Sequence, residues 1–328
     1  MLHQNRRKFL KKSSQAALGF GLLGFYNCDS NASNSENQKA IETEEVQELF
    51  FKISLAQWSL HRTFQSGELD NLDFAATAKN KFGIEAIEYV SQFFKDNVND
   101  KSYLTDMKKR AADHGVKSLL IMVDEEGGLA NTDDKERNKA VDNHKKWLEA
   151  AQFLGCHSIR VNAYGKGSAE DVGAAAIAGL SSLATVAADY DLNVLVENHG
   201  GYSSNGAWLS NVLNQINLPN CGSLPDFGNF CLERDNGQEW GGTCIKEYDR
   251  YQGVKELIKY AKAVSAKSHD FDEKGVETST DFMKMMQIVK NADYQGYVGV
   301  EYEGDKLSEI DGILATKKLL ETVGSKLS

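Results

Sequence analysis

Four short apolar runs in the second half of the chain each end in polar, mostly ionisable residues. They are Val194-Leu195-Val196-Glu197-Asn198-His199, Leu224-Pro225-Asp226-Phe227-Gly228-Asn229, Val264-Ser265-Ala266-Lys267-Ser268-His269 and Val298-Gly299-Val300-Glu301-Tyr302-Glu303. A single carboxylate after an apolar run usually caps a helix or meets solvent. Glu197 and Glu301, however, each follow three apolar or glycine residues, so the chain is buried up to the point where the acid appears. Buried carboxylates in number need a cation. An oxygen-rich shell suits Mg2+ or Mn2+, and an added imidazole moves the preference toward Mn2+, Co2+ or Zn2+.

Such residues do chemistry together only if the fold brings the run ends to one place. From about residue 50 the sequence alternates amphipathic helical patterns with short apolar strands, predicted at 53–58, 84–89, 117–123, 158–162, 193–197, 222–226, 264–269 and 297–301. Helical patterns lie between them, among them 140–153 before Gly155, 169–190, and 282–289 before Gly296. Short strands alternating with helices predict parallel βαβ units, and eight units close into a (β/α)8 barrel, an α/β fold whose sites gather at the C-terminal strand ends. An open doubly wound sheet would need a glycine-rich phosphate turn after its first strand, which Ser54-Leu55-Ala56-Gln57-Trp58-Ser59-Leu60 lacks.

The 328 residues are 41% hydrophobic and 26% charged, an ordinary globular composition. Net charge is −10, and the first 28 residues hold five bases and no acid, so the remainder carries −15 (32 bases against 47 acids). That charge repels phosphate backbones and argues against nucleic acid as a partner. Asn5-Arg6-Arg7-Lys8-Phe9-Leu10-Lys11 is a twin-arginine pattern, followed by an apolar run too short to span a bilayer. Residues 1–28 therefore read as an export signal, residues 29–48 as a flexible tether and 49–325 as the barrel, with a periplasmic location expected. Cys28 opens the polar tract as a lipid-anchored cysteine would, although Phe25-Tyr26-Asn27 is a poor match before one, so membrane-tethered and free forms both stay open. Cys156, Cys221, Cys231 and Cys244 show no zinc spacing; Cys231 and Cys244 could staple one loop, but spacing does not fix a pairing.

Taken together, Glu197-Asn198-His199-Gly200-Gly201, Asp226-Phe227-Gly228-Asn229 and Gly299-Val300-Glu301-Tyr302-Glu303-Gly304 resemble the sugar phosphate isomerase/epimerase family, over residues from about 50 to 323. This family has the xylose isomerase-like barrel and includes ketose 3-epimerases, inosose dehydratases and endonuclease IV. The resemblance implies one divalent metal, Mn2+ or Mg2+ before Co2+ or Zn2+, held by Glu197, Asp226, a histidine and Glu301. The histidine does not map: the family's His-x-Lys segment aligns its lysine with Lys267 and puts Ser265 at the ligand position. His269, on the same strand face one step further out, is one candidate for the fourth ligand; water or His199 is the other.

The implied reaction is enediolate proton transfer on a ketose, aldose or keto-sugar, with Glu197 and Glu301 as acid and base and Lys267 near the developing oxyanion. Gln57, Trp58, Glu88, Arg160, Asn162, His199, Asn229 and Trp240 are the expected substrate-binding residues. Residues 231–251 form a long polar loop, read as a lid or an oligomer contact. Two other readings stay open: a periplasmic lyase or hydrolase of 3-keto-glycosides, and a carbohydrate-binding barrel without chemistry. Endonuclease activity would need a histidine-rich multi-metal site and a basic groove, neither of which the sequence offers.

Overall fold

The structure is a computed structural model and describes residues 48–238 and 241–328. Arg6, Arg7, Cys28, the tether as far as residue 47 and Trp240 lie outside the described residues.

Eight parallel strands form one curled sheet. They are β1 (Lys52–Ala56), β2 (Ala86–Val90), β3 (Lys117–Met122), β4 (Ser158–Val161), β5 (Asn193–Glu197), β6 (Cys221–Leu224), β9 (Val264–Ser268) and β10 (Tyr297–Tyr302). Each lies within two residues of its expected bounds at either end. A separate antiparallel ribbon, β7 (Cys231–Arg234) with β8 (Cys244–Glu247), was not expected from the sequence. The helices are α1 (His61–Gln65), α2 (Phe74–Phe82), α3 (Lys101–Asp113), α4 (Asp134–Leu154), α5 (Ala169–Ala188), α6 (Gly206–Ile216), α7 (Arg250–Leu257), α8 (Phe282–Asn291) and α9 (Glu309–Leu327).

Strand order is β6-β5-β4-β3-β2-β1-β10-β9. The two ends meet through isolated parallel bridges, Ser223 with Ala261 and Asp226 with Ser265. Pro225 has no N–H to offer there, but its carbonyl accepts from Ser265 N at 3.0 Å, and Phe227 N donates to Ser265 O at 3.1 Å. The barrel thus closes at the two residues, Asp226 and Ser265, that face its mouth.

Helix boundaries follow local chemistry. Asp133 caps α4 by accepting from Lys135 N and Glu136 N, and Gly155 ends it at φ 80°, a left-handed conformation that glycine adopts without strain. Along α4, Ala140, Val141, His144, Trp147, Leu148, Ala151 and Leu154 are buried at helical spacing. By length and composition α5 could cross a membrane, yet its Val172, Ala176, Leu180, Leu183 and Ala187 pack into the layer between sheet and helices.

Alternation along the strands aims the polar residues inward. In β5, Val194 and Val196 belong to the sheet–helix layer while Leu195 packs in the barrel interior, so Glu197, two residues on, faces the interior. In β10, Val298, Val300 and Tyr302 take the helix side, which leaves Gly299 and Glu301 inside. In β9, Val264 and Ala266 do the same, so Ser265 and Lys267 point inward. Glu88 of β2, between Ile87 and Tyr89, and Arg160 of β4, between Ile159 and Val161, follow the same rule. The apolar plug of Ala56, Ala86, Leu120, Met122, Leu195 and Leu224 closes the barrel beneath them.

Candidate active site

Glu197, Asp226, Lys267 and Glu301 meet at the floor of the mouth, with 2%, 0%, 3% and 5% of their surfaces exposed. The Lys267 ammonium lies 3.2 Å from Glu301 Oε1, 3.1 Å from Glu303 Oε1, 3.4 Å from Asn229 Oδ1 and 3.9 Å from Asp226 Oδ2. Burial works against its charge, but Asp226, Glu301 and Glu303 outweigh that and hold it well above an ordinary lysine. It is a fixed positive charge. The lysine stem runs flat against Gly228, where a Cβ would stand 2.9 Å from Lys267 Cδ.

Ser265 carries more information than a vacated ligand position. Its Oγ lies 2.7 Å from Asp226 Oδ2 and 2.8 Å from Glu301 Oε2. A hydroxyl has one proton to donate, so the second contact is a hydrogen bond only when a carboxyl supplies the proton. Burial pushes Glu301 above the usual carboxylate range; Lys267 opposes this, and the charges of Asp226 and Glu303 add to it. Ser265 thus ties the two acids together from the barrel floor. Glu197 is raised likewise by burial, against the pull of Arg160. Its Oε1 accepts from Asn229 Nδ2 at 2.9 Å and its Oε2 pairs with Arg160 Nε at 2.8 Å, an ion-pair contact without hydrogen-bond alignment. The chain has thus placed four buried interior acids, Glu88, Glu197, Asp226 and Glu301, against two cations, Arg160 and Lys267.

One wall of the mouth is a network on β3 and β4. Arg160 donates to Asp124 Oδ1 at 2.7 Å, and Asn162 Nδ2 donates to the same oxygen at 2.7 Å. Asn162 Oδ1 in turn contacts His199 Nδ1 at 3.0 Å. Burial lowers His199 to about 3, so its imidazole is neutral, and this contact makes Nδ1 the protonated nitrogen. Burial by itself would raise Asp124, but Arg160 wins and holds it below the usual carboxylate range. Trp58 lines the opposite wall, its ring stacked 4.8 Å from His61.

Several expected site residues stand elsewhere. Gln57 is fully buried and spends both ends of its amide inside the fold, donating to Asn71 Oδ1 at 2.7 Å and accepting from Val90 N at 2.8 Å. It brackets β1 to β2 and does not line the mouth. Glu88 lies one layer below, accepting from Ser54 Oγ at 2.6 Å, with its second oxygen unpartnered. The absence of a side chain at Gly299 makes room for it, since a Cβ there would stand 2.8 Å from Glu88 Oε1. His269, by contrast, follows the last residue of β9 and lines the mouth, and its backbone N–H donates to Glu277 Oε1 at 3.1 Å. Arg160, Asn162, His199 and Asn229 all line the mouth as expected.

Asp124 and the ribbon residues Arg234 and Glu247, with Arg250 of α7, also line the mouth without having been singled out in the sequence. Asp124 carried a readable signal, an acid immediately after the buried run ending at Val123. The ribbon sits in the expected long loop and is pinned by a Cys231–Cys244 disulfide; Cys156 and Cys221 are free and buried. The whole mouth is a cavity of about 1040 Å3.

A parallel eight-stranded barrel with ionisable residues gathered at the C-terminal strand ends defines the class: an α/β barrel with a buried ionic cluster at its mouth. Residues 74–323 match the family model for xylose isomerase-like TIM barrels, and the chain belongs to that family. Solved structures share the fold. The IOLI protein, solved with a bound zinc atom, superposes with a TM-score of 0.65 at 18% identity over 84% of this chain and 99% of its own. A sugar phosphate isomerase/epimerase from Parabacteroides distasonis gives 0.61 at 15% over 84% and 94%. The apo form of 3-keto-D-glucoside 4-epimerase from E. coli gives 0.57 at 15% over 84% and 100%. No curated protein matches the sequence.

The zinc-bound relative raises the question of whether the donors here would accept a dication. Glu197, Asp226 and Glu301 all reach the floor of the mouth, but their oxygens are already engaged by the protein. Asp226 Oδ1 accepts from Gly228 N and Asn229 N at 2.7 and 2.8 Å, and the other five oxygens meet Ser265, Lys267, Asn229 or Arg160. Among the described residues no group of three His, Cys, Asp or Glu is arranged to hold a metal ion. A dication among these oxygens would also face the Lys267 ammonium, a repulsion of about 4 kcal/mol per unit charge at 4 Å in a protein-like dielectric. As arranged, the residues do not fit a divalent ion.

Proposed function

We propose that this chain is an isomerase or epimerase that moves a proton at the carbon beside a carbonyl in a ketose, aldose or keto-sugar. One observation carries the reading: Glu197 on β5 and Glu301 on β10 are buried acids from non-adjacent strands that face one interior, with the Lys267 ammonium against Glu301. A substrate between them meets a carboxyl on either side. One of them takes a proton from one face and the other returns a proton to the opposite face. The charge that develops on the carbonyl oxygen is stabilised by Lys267, whose position is fixed before the reaction starts. Neutral His199 and the Asp124-Arg160-Asn162 network offer oriented donors and acceptors to sugar hydroxyls. Family membership and the sugar-processing relatives support the substrate class. An NMR screen of sugars and keto-sugars in D2O tests the reading, because proton transfer beside a carbonyl exchanges one identifiable C–H; no exchange in any of them would sink it.

A second reading, a lyase or hydrolase of 3-keto-glycosides, draws on the size of the mouth. Its volume of about 1040 Å3 is ample for a glycoside rather than a single sugar ring, and 3-keto-D-glucoside 4-epimerase shares the fold. Loss of the aglycone from a 3-keto-glycoside in the same screen distinguishes it from epimerisation.

Export through the twin-arginine pattern, with or without a lipid on Cys28, belongs to the same proposal and is supported by the Cys231–Cys244 disulfide, since disulfides persist in oxidising compartments. Changing Arg6 and Arg7 to Lys should retain the protein in the cytoplasm; unaltered delivery in a fractionation experiment would remove the assignment.

A further inference from the structure

We infer that Lys267 is the resident cation of this site, occupying the place of a divalent ion, and that the chain works without a metal. The inference rests on the reading of this cluster as the acid/base centre. An ammonium has three N–H donors, and three acceptors surround this one: Glu301 Oε1 at 3.2 Å, Glu303 Oε1 at 3.1 Å and Asn229 Oδ1 at 3.4 Å. Asp226 Oδ2 stands behind them at 3.9 Å. Arg160 performs the same service for Glu197.

Lys267 cannot swing away without cost, because Ala266 and Ser268 on either side are buried and hold its strand in register with Glu301. Gly228 gives its stem a groove, and only 3% of the residue is exposed. Lys267 nevertheless lines the cavity together with Glu301 and Glu303, so a bound oxygen could reach it. A lysine ammonium is a compact point charge, suited to stabilise an oxyanion from one direction, whereas a metal would chelate two oxygens. The Ser265 hydroxyl completes the change: it lies within hydrogen-bond distance of both Asp226 and Glu301, where a metal would join the two acids by coordination.

The test reads metal uptake without any substrate, so it stands apart from the question of what the enzyme turns over. The full chain, purified without chelator, is analysed for bound metals and then titrated with Co2+, whose absorption bands report carboxylate coordination. The expected result is well under one equivalent of metal and no Co2+ spectrum. The variant Lys267→Met removes the ammonium and leaves the acids uncompensated, so it should gain a Co2+ spectrum, while Lys267→Arg, which keeps the charge, should not. Circular dichroism checks that each variant is folded; the parent titration decides the matter if Lys267→Met is not. One tightly held equivalent of metal in the parent would overturn the inference. So would a folded Lys267→Met that still rejects Co2+, because something other than Lys267 would then exclude the ion. Where an exchanging sugar has been found, EDTA should leave the parent's exchange rate unchanged and Lys267→Met should lose exchange.

Discussion

The floor of the mouth and the ribbon at its rim are built on opposite principles. On the floor, Glu88, Glu197, Asp226, Lys267 and Glu301 are at most 5% exposed and their positions are set by strand register. The β7–β8 ribbon is half-buried to exposed along its length, with Ile245 63% exposed and a surface ion pair between Lys246 and Glu233. Two strands alone are marginal in water, and a surface ion pair contributes little, so the Cys231–Cys244 disulfide supplies the constraint that packing does not. The floor's buried ionic cluster is costly to hold, which the proposed chemistry would explain; the rim is exposed and held by its disulfide. On the proposed function, chemistry fixed by the sheet and recognition carried by a stapled insertion would be separable.

Glu301→Gln probes the floor with the largest expected effect. The amide keeps the volume and can still donate to Asp226 or Ser265, but it can neither take up nor release a proton. Product formation should fall by about 10² to 10⁴. Following product and solvent deuterium together shows more than the rate alone. Exchange without inverted product would leave Glu197 acting alone, while product at the parental rate would remove Glu301 from the reaction.

Glu88 tests whether the floor costs stability as its burial requires. Burial raises it from 4.5 to about 7, opposed by the Ser54 hydrogen bond. A carboxyl raised in the folded state stabilises fully below its unfolded value, and that contribution is lost as pH rises through about 7. Stability should therefore decline from about pH 4.5 to about pH 7 and level off above, and Glu88→Gln should flatten the decline by up to about 3 kcal/mol, at 1.36 kcal/mol per pKa unit. Denaturant titrations across that range check it. Parallel pH curves for parent and variant would mean that Glu88 does not titrate in the native range.

The floor was legible in the sequence because period-two alternation both names the strands and fixes which side each residue takes. Glu197 and Glu301 could be assigned to the interior from their apolar neighbours alone. Glu88 was read one layer too high, because parity gives the side of a strand but not the depth, and Gln57, which follows the inward-facing Ala56, was assigned to the mouth although its amide is spent on Asn71 and Val90 N. Ser265 looked like a missing ligand in the sequence, because only distances reveal that its hydroxyl joins Asp226 to Glu301. The ribbon left almost no trace. Cys-Leu-Glu-Arg and Cys-Ile-Lys-Glu are short, polar and exposed, and their pairing depends on a covalent bond between residues 13 apart.

The smallest effect belongs to the rim. Closing a loop of this length removes about 3 kcal/mol of unfolded-chain entropy in the simplest model, but the gain is local if the ribbon frays independently of the barrel. In Cys231→Ser/Cys244→Ser the ribbon should loosen while β9 and β10 keep their register and the Glu301–Lys267 contact survives. Arg234 and Glu247 line the mouth from the ribbon, so substrate affinity should weaken while the proton-transfer step is spared. The expected outcome is a KM raised about 3- to 10-fold, a loss of about 1 kcal/mol, with kcat unchanged. Treating the parent with a thiol reductant should reproduce it, since Cys156 and Cys221 are buried and do not pair. If kcat fell and KM did not, the ribbon would be part of the acid/base centre, and a floor that works independently of its rim would be the wrong description of this barrel.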